Sequence, residues 1–233
     1  MTEMDIKRIY DKLDHTNLKK TATTSDILLM CSDAAKHMTK SVCVPPCFVS
    51  VASKYLNDKA PLVCTVIGFP NGYSTTAVKI AETIDALENG ADEIDMVINI
   101  NVLKGHQGYN KIFDEIKEIA KVCHNYEYSK KSATLKVIIE TCLLTKEEIR
   151  QMCDLCIAAG ADFIKTSTGF STAGATREDI KLFSENIGEN VKMKAAGGIA
   201  SLIDAEDFLK LGAQRLGTSR IVSIAKSEQG SGY

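Results

Sequence analysis

Two lysines lie in strand-like runs where a barrel or sheet interior calls for apolar side chains. Lys165 sits in Asp162-Phe163-Ile164-Lys165-Thr166-Ser167-Thr168-Gly169, and Lys194 in Val191-Lys192-Met193-Lys194-Ala195-Ala196-Gly197-Gly198. An ammonium group on the inner face of a strand is costly to desolvate, so it usually has a task. Two ammonium groups brought together repel, and one can then be uncharged near neutral pH. An uncharged lysine amine is a nucleophile that attacks carbonyl carbons. Taken singly, either lysine could equally reach outward from a strand end. Lys192 reads as peripheral, one pleat nearer the strand's start. Asp95, in Glu93-Ile94-Asp95-Met96-Val97-Ile98-Asn99, shares a strand face with Val97 and Asn99 and could pair with either lysine. A purely structural salt bridge is the other reading of Asp95.

A second constellation is made of small residues. Gly169, Gly197-Gly198 and Gly217-Thr218-Ser219 follow three successive strand-like runs. Backbone N–H groups in glycine turns and at helix N-termini bind phosphate well. Tight turns alone would also explain the glycines, but their clustering favours phosphate. Arg220 either adds a charged contact there or points to solvent.

Positioning these groups requires alternating strands and helices. Strand-like runs fall at residues 12–16, 41–44, 62–69, 93–99, 135–141, 162–168, 191–196 and 215–218. Helical patterns lie between them, at 24–38, 46–56, 74–88, 108–123, 149–159, 177–187, 201–211 and 220–226. Thr145-Lys146-Glu147-Glu148 is a capping box, and Asn89-Gly90 and Gly160 are stop signals. Gly-Ala-Asp precedes a strand twice, at 90–92 and 160–162, as a recurring turn. Eight strand–helix units without a Pro- or Ser-rich linker favour one closed (β/α)8 TIM barrel over an open doubly wound sheet. The expected organisation is an N-terminal helix, one catalytic domain over residues 1–226 and a flexible C-terminal tail at 227–233. In such a barrel the active site gathers at the carboxyl ends of the strands. Side chains alternate in and out along a strand, so Asp95, Lys165 and Lys194 can converge from strands 4, 6 and 7.

The remaining composition narrows the class. A formal net charge of −2 over 233 residues gives no support for a nucleic-acid partner. No apolar run approaches the roughly 20 residues that span a bilayer. The first residues lack an apolar leader, so the cytoplasm is the expected compartment. Eight cysteines in a chain of this size read as free thiols rather than a disulfide framework. Cys153-Asp154-Leu155-Cys156 matches C-x-x-C but lies inside a helical pattern with no second pair, a weak signal for zinc or redox chemistry.

The ordered set of motifs resembles the 2-deoxyribose-5-phosphate aldolases, a class I aldolase family, over nearly the whole chain. The matching stretches are Leu13-Asp14-His15-Thr16, Ser41-Val42-Cys43-Val44-Pro45-Pro46, Cys64-Thr65-Val66-Ile67-Gly68-Phe69-Pro70 and Gly90 through Asn99. They continue with Lys136-Val137-Ile138-Ile139-Glu140-Thr141, the Lys165 and Lys194 runs and Gly217-Thr218-Ser219. The resemblance implies reversible cleavage of 2-deoxy-D-ribose 5-phosphate to glyceraldehyde 3-phosphate and acetaldehyde. Lys165 would form the Schiff base, and Lys194 beside it would favour its uncharged form by like-charge repulsion. Asp95 would relay protons through a water, and Tyr233 at the chain end would reach back for proton transfer; a disordered tail is the alternative. Asp14, Thr16 and Thr166 would lie at the substrate. Gly169, Gly197, Gly198, Gly217 and Ser219 would receive the phosphate end.

No metal or organic cofactor is implied. The expected partners are a small phosphosugar and an aldehyde, with no nucleic acid or membrane; the oligomeric state stays open, a homodimer being one candidate. Departures from the family's commoner residues fall at Asn17, Lys20, Pro45, Ala173, Ala200 and Arg220, the last two altering charge around the expected phosphate pocket. Other readings are a Schiff-base aldolase or transaldolase for a different sugar phosphate, a pyridoxal-phosphate barrel, and a non-catalytic phosphosugar-binding protein.

Overall fold

The structure, a computed structural model, describes residues 3–125 and 132–224. Tyr233 and the expected tail at 227–233 lie outside these residues. Among them, eight parallel strands close in sequence order into a barrel. The strands are β1 (Leu13–Thr16), β2 (Ser41–Val44), β3 (Leu62–Ile67), β4 (Glu93–Val97), β5 (Thr134–Ile138), β6 (Phe163–Lys165), β7 (Lys192–Ala196) and β8 (Arg215–Thr218). β1 pairs with both β2 and β8, so no sheet edge is left open.

Helices α1 (Glu3–Tyr10), α2 (Thr24–His37), α3 (Val49–Leu56), α4 (Thr76–Glu88), α5 (Ile100–Leu103), α6 (Gly108–His124), α7 (Lys146–Ala159), α8 (Arg177–Asn186) and α9 (Leu202–Lys210) lie before and between the strands. Their ends follow the sequence signals. Thr145 caps α7 in a reciprocal box with Glu148, and Gly160 ends it in the left-handed conformation at φ 82°. Along α6, Ile112, Ile116, Ile119, Ala120 and Cys123 recur at helical spacing and are buried. The continuous apolar core lies between the helical ring and the barrel wall, joining Ile94, Val137 and Ile164 on the strands to Ile116 and Met152 on the helices. No helix among the described residues is long and apolar enough to cross a membrane.

Several strands end sooner than their apolar runs suggest. β4 stops at Val97, and Asn99 instead caps α5, accepting a hydrogen bond from Val102 N–H. β5 stops at Ile138, and Glu140 takes a left-handed conformation at φ 53°. The helix expected over 46–56 is divided: a 3-10 turn spans Pro46–Phe48 before α3 begins. The last expected helix appears over 221–224, the end of the described chain. These changes shorten the ladders at the carboxyl ends, where loops turn over the barrel mouth.

Candidate active site

The barrel interior beneath the mouth is ionic rather than apolar. Alternation and register explain why. Asp95 on β4 is paired with Lys136 on β5, Lys165 on β6 with Lys194 on β7, and Lys194 with Arg215 on β8. Inward-facing positions on these strands therefore carry charged side chains at similar heights. Asp95 is the hub. Its Oδ2 accepts from Lys165 Nζ at 2.7 Å and from Lys194 Nζ at 2.7 Å. Its Oδ1 accepts from Lys136 Nζ at 2.8 Å and from Cys64 Sγ at 3.2 Å.

A second tier holds the hub. Lys194 also pairs with Asp14, whose Oδ1 accepts from Ser41 Oγ at 2.7 Å and Arg215 Nη1 at 2.5 Å. Arg215 donates two bonds to Glu93, and Lys136 reaches Glu93 Oε2 at 2.7 Å. The Arg215 guanidinium lies 5.3 Å from the Phe163 ring centroid. Asp14, Asp95 and Lys136 are fully buried, and Lys165 is 3% exposed.

Burial raises the Asp95 carboxyl, but Lys136, Lys165 and Lys194 outweigh burial and hold it well below the ordinary carboxylate value. Burial likewise raises Asp14, and Lys194, Arg215 and Lys136 bring it down below its usual value. Burial pulls the Lys194 ammonium down, while Asp14 and Asp95 more than offset this and carry it above its usual value. Lys136 follows the same pattern, with Asp95, Cys64 and Glu93 opposing its burial.

Lys165, Lys194, Lys136 and Arg215 thus face Asp14, Glu93 and Asp95. Four cations against three carboxylates leave one positive charge in excess. Among the described members, Lys165 is the one that also lines the open cavity above.

That cavity has a volume of about 590 Å³. Thr16, Lys165, Gly169, Gly197, Gly198, Gly217 and Ser219 all line it, together with Lys19, Thr168 and Arg220. Three of its glycines have positive φ: Gly169 at 82°, Gly197 at 76° and Gly198 at 75°. The loop after β6 folds onto the loop after β7 through Ala175 N–H, which bonds the Ala196 and Gly197 carbonyls. This approach needs Gly174: a Cβ there would sit 2.3 Å from the Gly197 carbonyl carbon. Gly217 has a different use, since a Cβ there would come within 3.1 Å of Lys194 Cε. Beside the mouth a second cavity of about 430 Å³ is lined by Leu18, Pro46, Cys47, Val66, Phe69 and Phe170.

A family model described as DeoC/LacD family aldolase matches residues 9–215. The chain belongs to the DeoC/LacD aldolase family. A Streptococcus pyogenes protein named deoxyribose-phosphate aldolase is 52% identical over 225 residues, covering 97% of both chains. A Clostridioides difficile protein of the same name is 51% identical over 228 residues, covering 98% of this chain and 100% of its own. A solved structure of deoxyribose phosphate aldolase from Aeropyrum pernix, described as tetrameric, superposes with a TM-score of 0.85. It is 28% identical and is covered over 98% of this chain and 99% of that one.

Within this DeoC/LacD aldolase, two expected substrate contacts take other positions. Asp14 does not line the cavity; it lies beneath, holding Lys194 and Arg215. Thr166 is buried too, its hydroxyl exchanging hydrogen bonds with the Ala196 backbone. Lys192 lies at the start of β7, exposed, with its ammonium 5.7 Å from the Phe163 ring centroid.

Lys136, Glu93 and Arg215 have no role assigned by the sequence motifs, although each sits in a strand run at inward parity. A charged residue inside an apolar strand was the available signal. Glu140 likewise has no role in the motifs, yet it accepts from Thr168 N–H at 3.2 Å and Thr168 Oγ1 at 2.5 Å and so fixes the loop after β6.

Proposed function

We propose that this chain catalyses the reversible retro-aldol cleavage of 2-deoxy-D-ribose 5-phosphate, with Lys165 as the Schiff-base residue. The observation that carries the reading is one shared oxygen. Asp95 Oδ2 holds both Lys165 and Lys194 at 2.7 Å, and only Lys165 of these three groups meets the cavity. The named aldolases at about half identity support the choice of substrate.

The uncharged Lys165 amine attacks C1 of the open-chain sugar, and loss of water gives an iminium ion. The C3 hydroxyl loses its proton, the C2–C3 electron pair flows into the iminium, and glyceraldehyde 3-phosphate leaves. The remaining enamine is protonated at C2, and water hydrolyses the resulting imine to acetaldehyde and free Lys165. Asp95, Lys194 and a water form the proton relay, since the carboxylate touches the Schiff-base nitrogen and a cation at once. The phosphate end lies against Gly169, Gly197, Gly198 and Ser219, with Arg220 supplying a charge, as their position along the cavity wall supports.

Borohydride reduction in the presence of acetaldehyde, followed by peptide mapping, tests the assignment. The reading requires a reduced adduct on Lys165 and its loss in Lys165→Ala. Trapping and turnover that survive in Lys165→Ala overturn it.

A further inference from the structure

The C-x-x-C of the sequence does not build a site: Cys153 and Cys156 lie buried on α7, and burial pushes both thiols up. Two cysteines 21 positions apart do come together. Cys43 on β2 and Cys64 on β3 are direct register partners in adjacent parallel strands. Cys64 Sγ lies 3.2 Å from Asp95 Oδ1. The donor atoms of Cys43, Cys64 and Asp95 all lie within 4.8 Å of one another, and all three residues are buried.

We propose that Cys43, Cys64 and Asp95 form a binding site for a thiophilic divalent cation such as Zn²⁺, and that its occupation blocks the lysine site. Two thiolates and a carboxylate are a donor set that suits such ions. Metal–sulfur bonds of about 2.3 Å and metal–oxygen bonds of about 2.1 Å in a tetrahedron separate the donors by roughly 3.5–3.8 Å. The present spacing, up to 4.8 Å, has to close to reach that, with water as the fourth ligand.

Charge balance permits the exchange. Two S–H protons leave as one M²⁺ enters, so the formal charge beside Lys136, Lys165 and Lys194 does not rise. The second cavity lies next to the pair: Leu18, Val66 and Phe69 line it, and the same residues pack with Cys43 and Cys64.

Cadmium serves as the spectroscopic probe. Titration of the reduced full chain with Cd²⁺ gives thiolate-to-cadmium absorption in the ultraviolet that saturates at one equivalent. The wild-type cadmium-113 NMR shift falls in the range of two-sulfur coordination completed by oxygen. Cys43→Ser and Cys64→Ser each lose the absorption, while Cys47→Ser and Cys142→Ser keep it; circular dichroism confirms that the variants are folded. One equivalent of Cd²⁺ or Zn²⁺ also abolishes borohydride trapping of acetaldehyde, and a chelator restores it. A wild-type cadmium shift typical of one sulfur or none overturns the proposal, whatever becomes of the variants. So does absorption that persists in folded Cys43→Ser. Because the absorption needs no turnover, its failure is distinct from failure of the Lys165 assignment.

Discussion

Lys165 and Lys194 are bound to the same atom. Asp95 Oδ2 accepts from both nitrogens at 2.7 Å, so the two amines stand no further apart than twice that distance. They do not repel as bare charges, because a carboxylate sits between them. What distinguishes them is the rest of their surroundings: Lys194 has Asp14 as a second acidic partner, and Lys165 has the cavity. The division of labour proposed above follows from that asymmetry.

Lys194→Leu removes a buried cation that two carboxylates share. Breaking a buried charge network from one side costs about 3–5 kcal/mol. Urea unfolding is expected to show a loss of that order, and steady-state turnover is expected to fall sharply. Turnover near the wild-type value would remove Lys194 from the proton relay.

The ionic cluster also sets a pH window. Asp14 and Asp95 are held below their ordinary value of 3.8, so their contribution to stability is present above that value and is lost as pH falls through their lowered values. Lys194 and Lys136 are held above 10.5, so theirs is present below that value and is lost as pH rises through their raised values. The stability difference between wild type and Asp14→Asn is therefore expected to stay flat between about pH 5 and 9 and to shrink at acid pH. Urea midpoints measured across pH for both proteins check this; a slope near neutrality contradicts it.

Gly217→Ala tests the space left for Lys194. The added methyl comes within 3.1 Å of Lys194 Cε and of Ala196 Cβ, so the lysine must shift by a few tenths of an ångström. Overpacking of this kind costs about 1–3 kcal/mol. Turnover is expected to fall by more than that stability loss would suggest, because small displacements of catalytic groups are amplified in rate. A variant with wild-type kinetics would show that the position of Lys194 is not critical.

Gly174→Ala tests the proposed phosphate end instead. Its methyl would collide with the Gly197 carbonyl and push the two loops apart. The KM for the phosphorylated sugar is expected to rise, while borohydride trapping of acetaldehyde on Lys165 persists. Equal loss of both would mean that the loops support the barrel mouth as a whole.

Arg220→Ala removes the charge beside Ser219 on the cavity wall. A charged hydrogen bond contributes about 1.5–3 kcal/mol, so kcat/KM for the phosphosugar is expected to drop roughly 10- to 100-fold. Activity toward 2-deoxyribose without phosphate should change little. A comparable drop for both sugars would contradict a phosphate role.

Much of this molecule is legible in its chain. Alternating patterns, the Thr145–Glu148 capping box and the Gly160 stop define the strand–helix order, because capping and periodicity are local. The same alternation puts Asp95, Lys165 and Lys194 at inward parity, and the motif set carries the family. Only the closed barrel decides which charges meet. Asp14 reads in the sequence as a substrate contact, yet the register of β1 between β2 and β8 drops it below the floor, against Lys194 and Arg215. Lys136 and Glu93 become partners, and Cys43 faces Cys64, through lateral pairing of neighbouring strands whose register the chain does not spell out. Parity is a property of each strand by itself; height and neighbour are properties of the ring, and buried charges are settled by the ring.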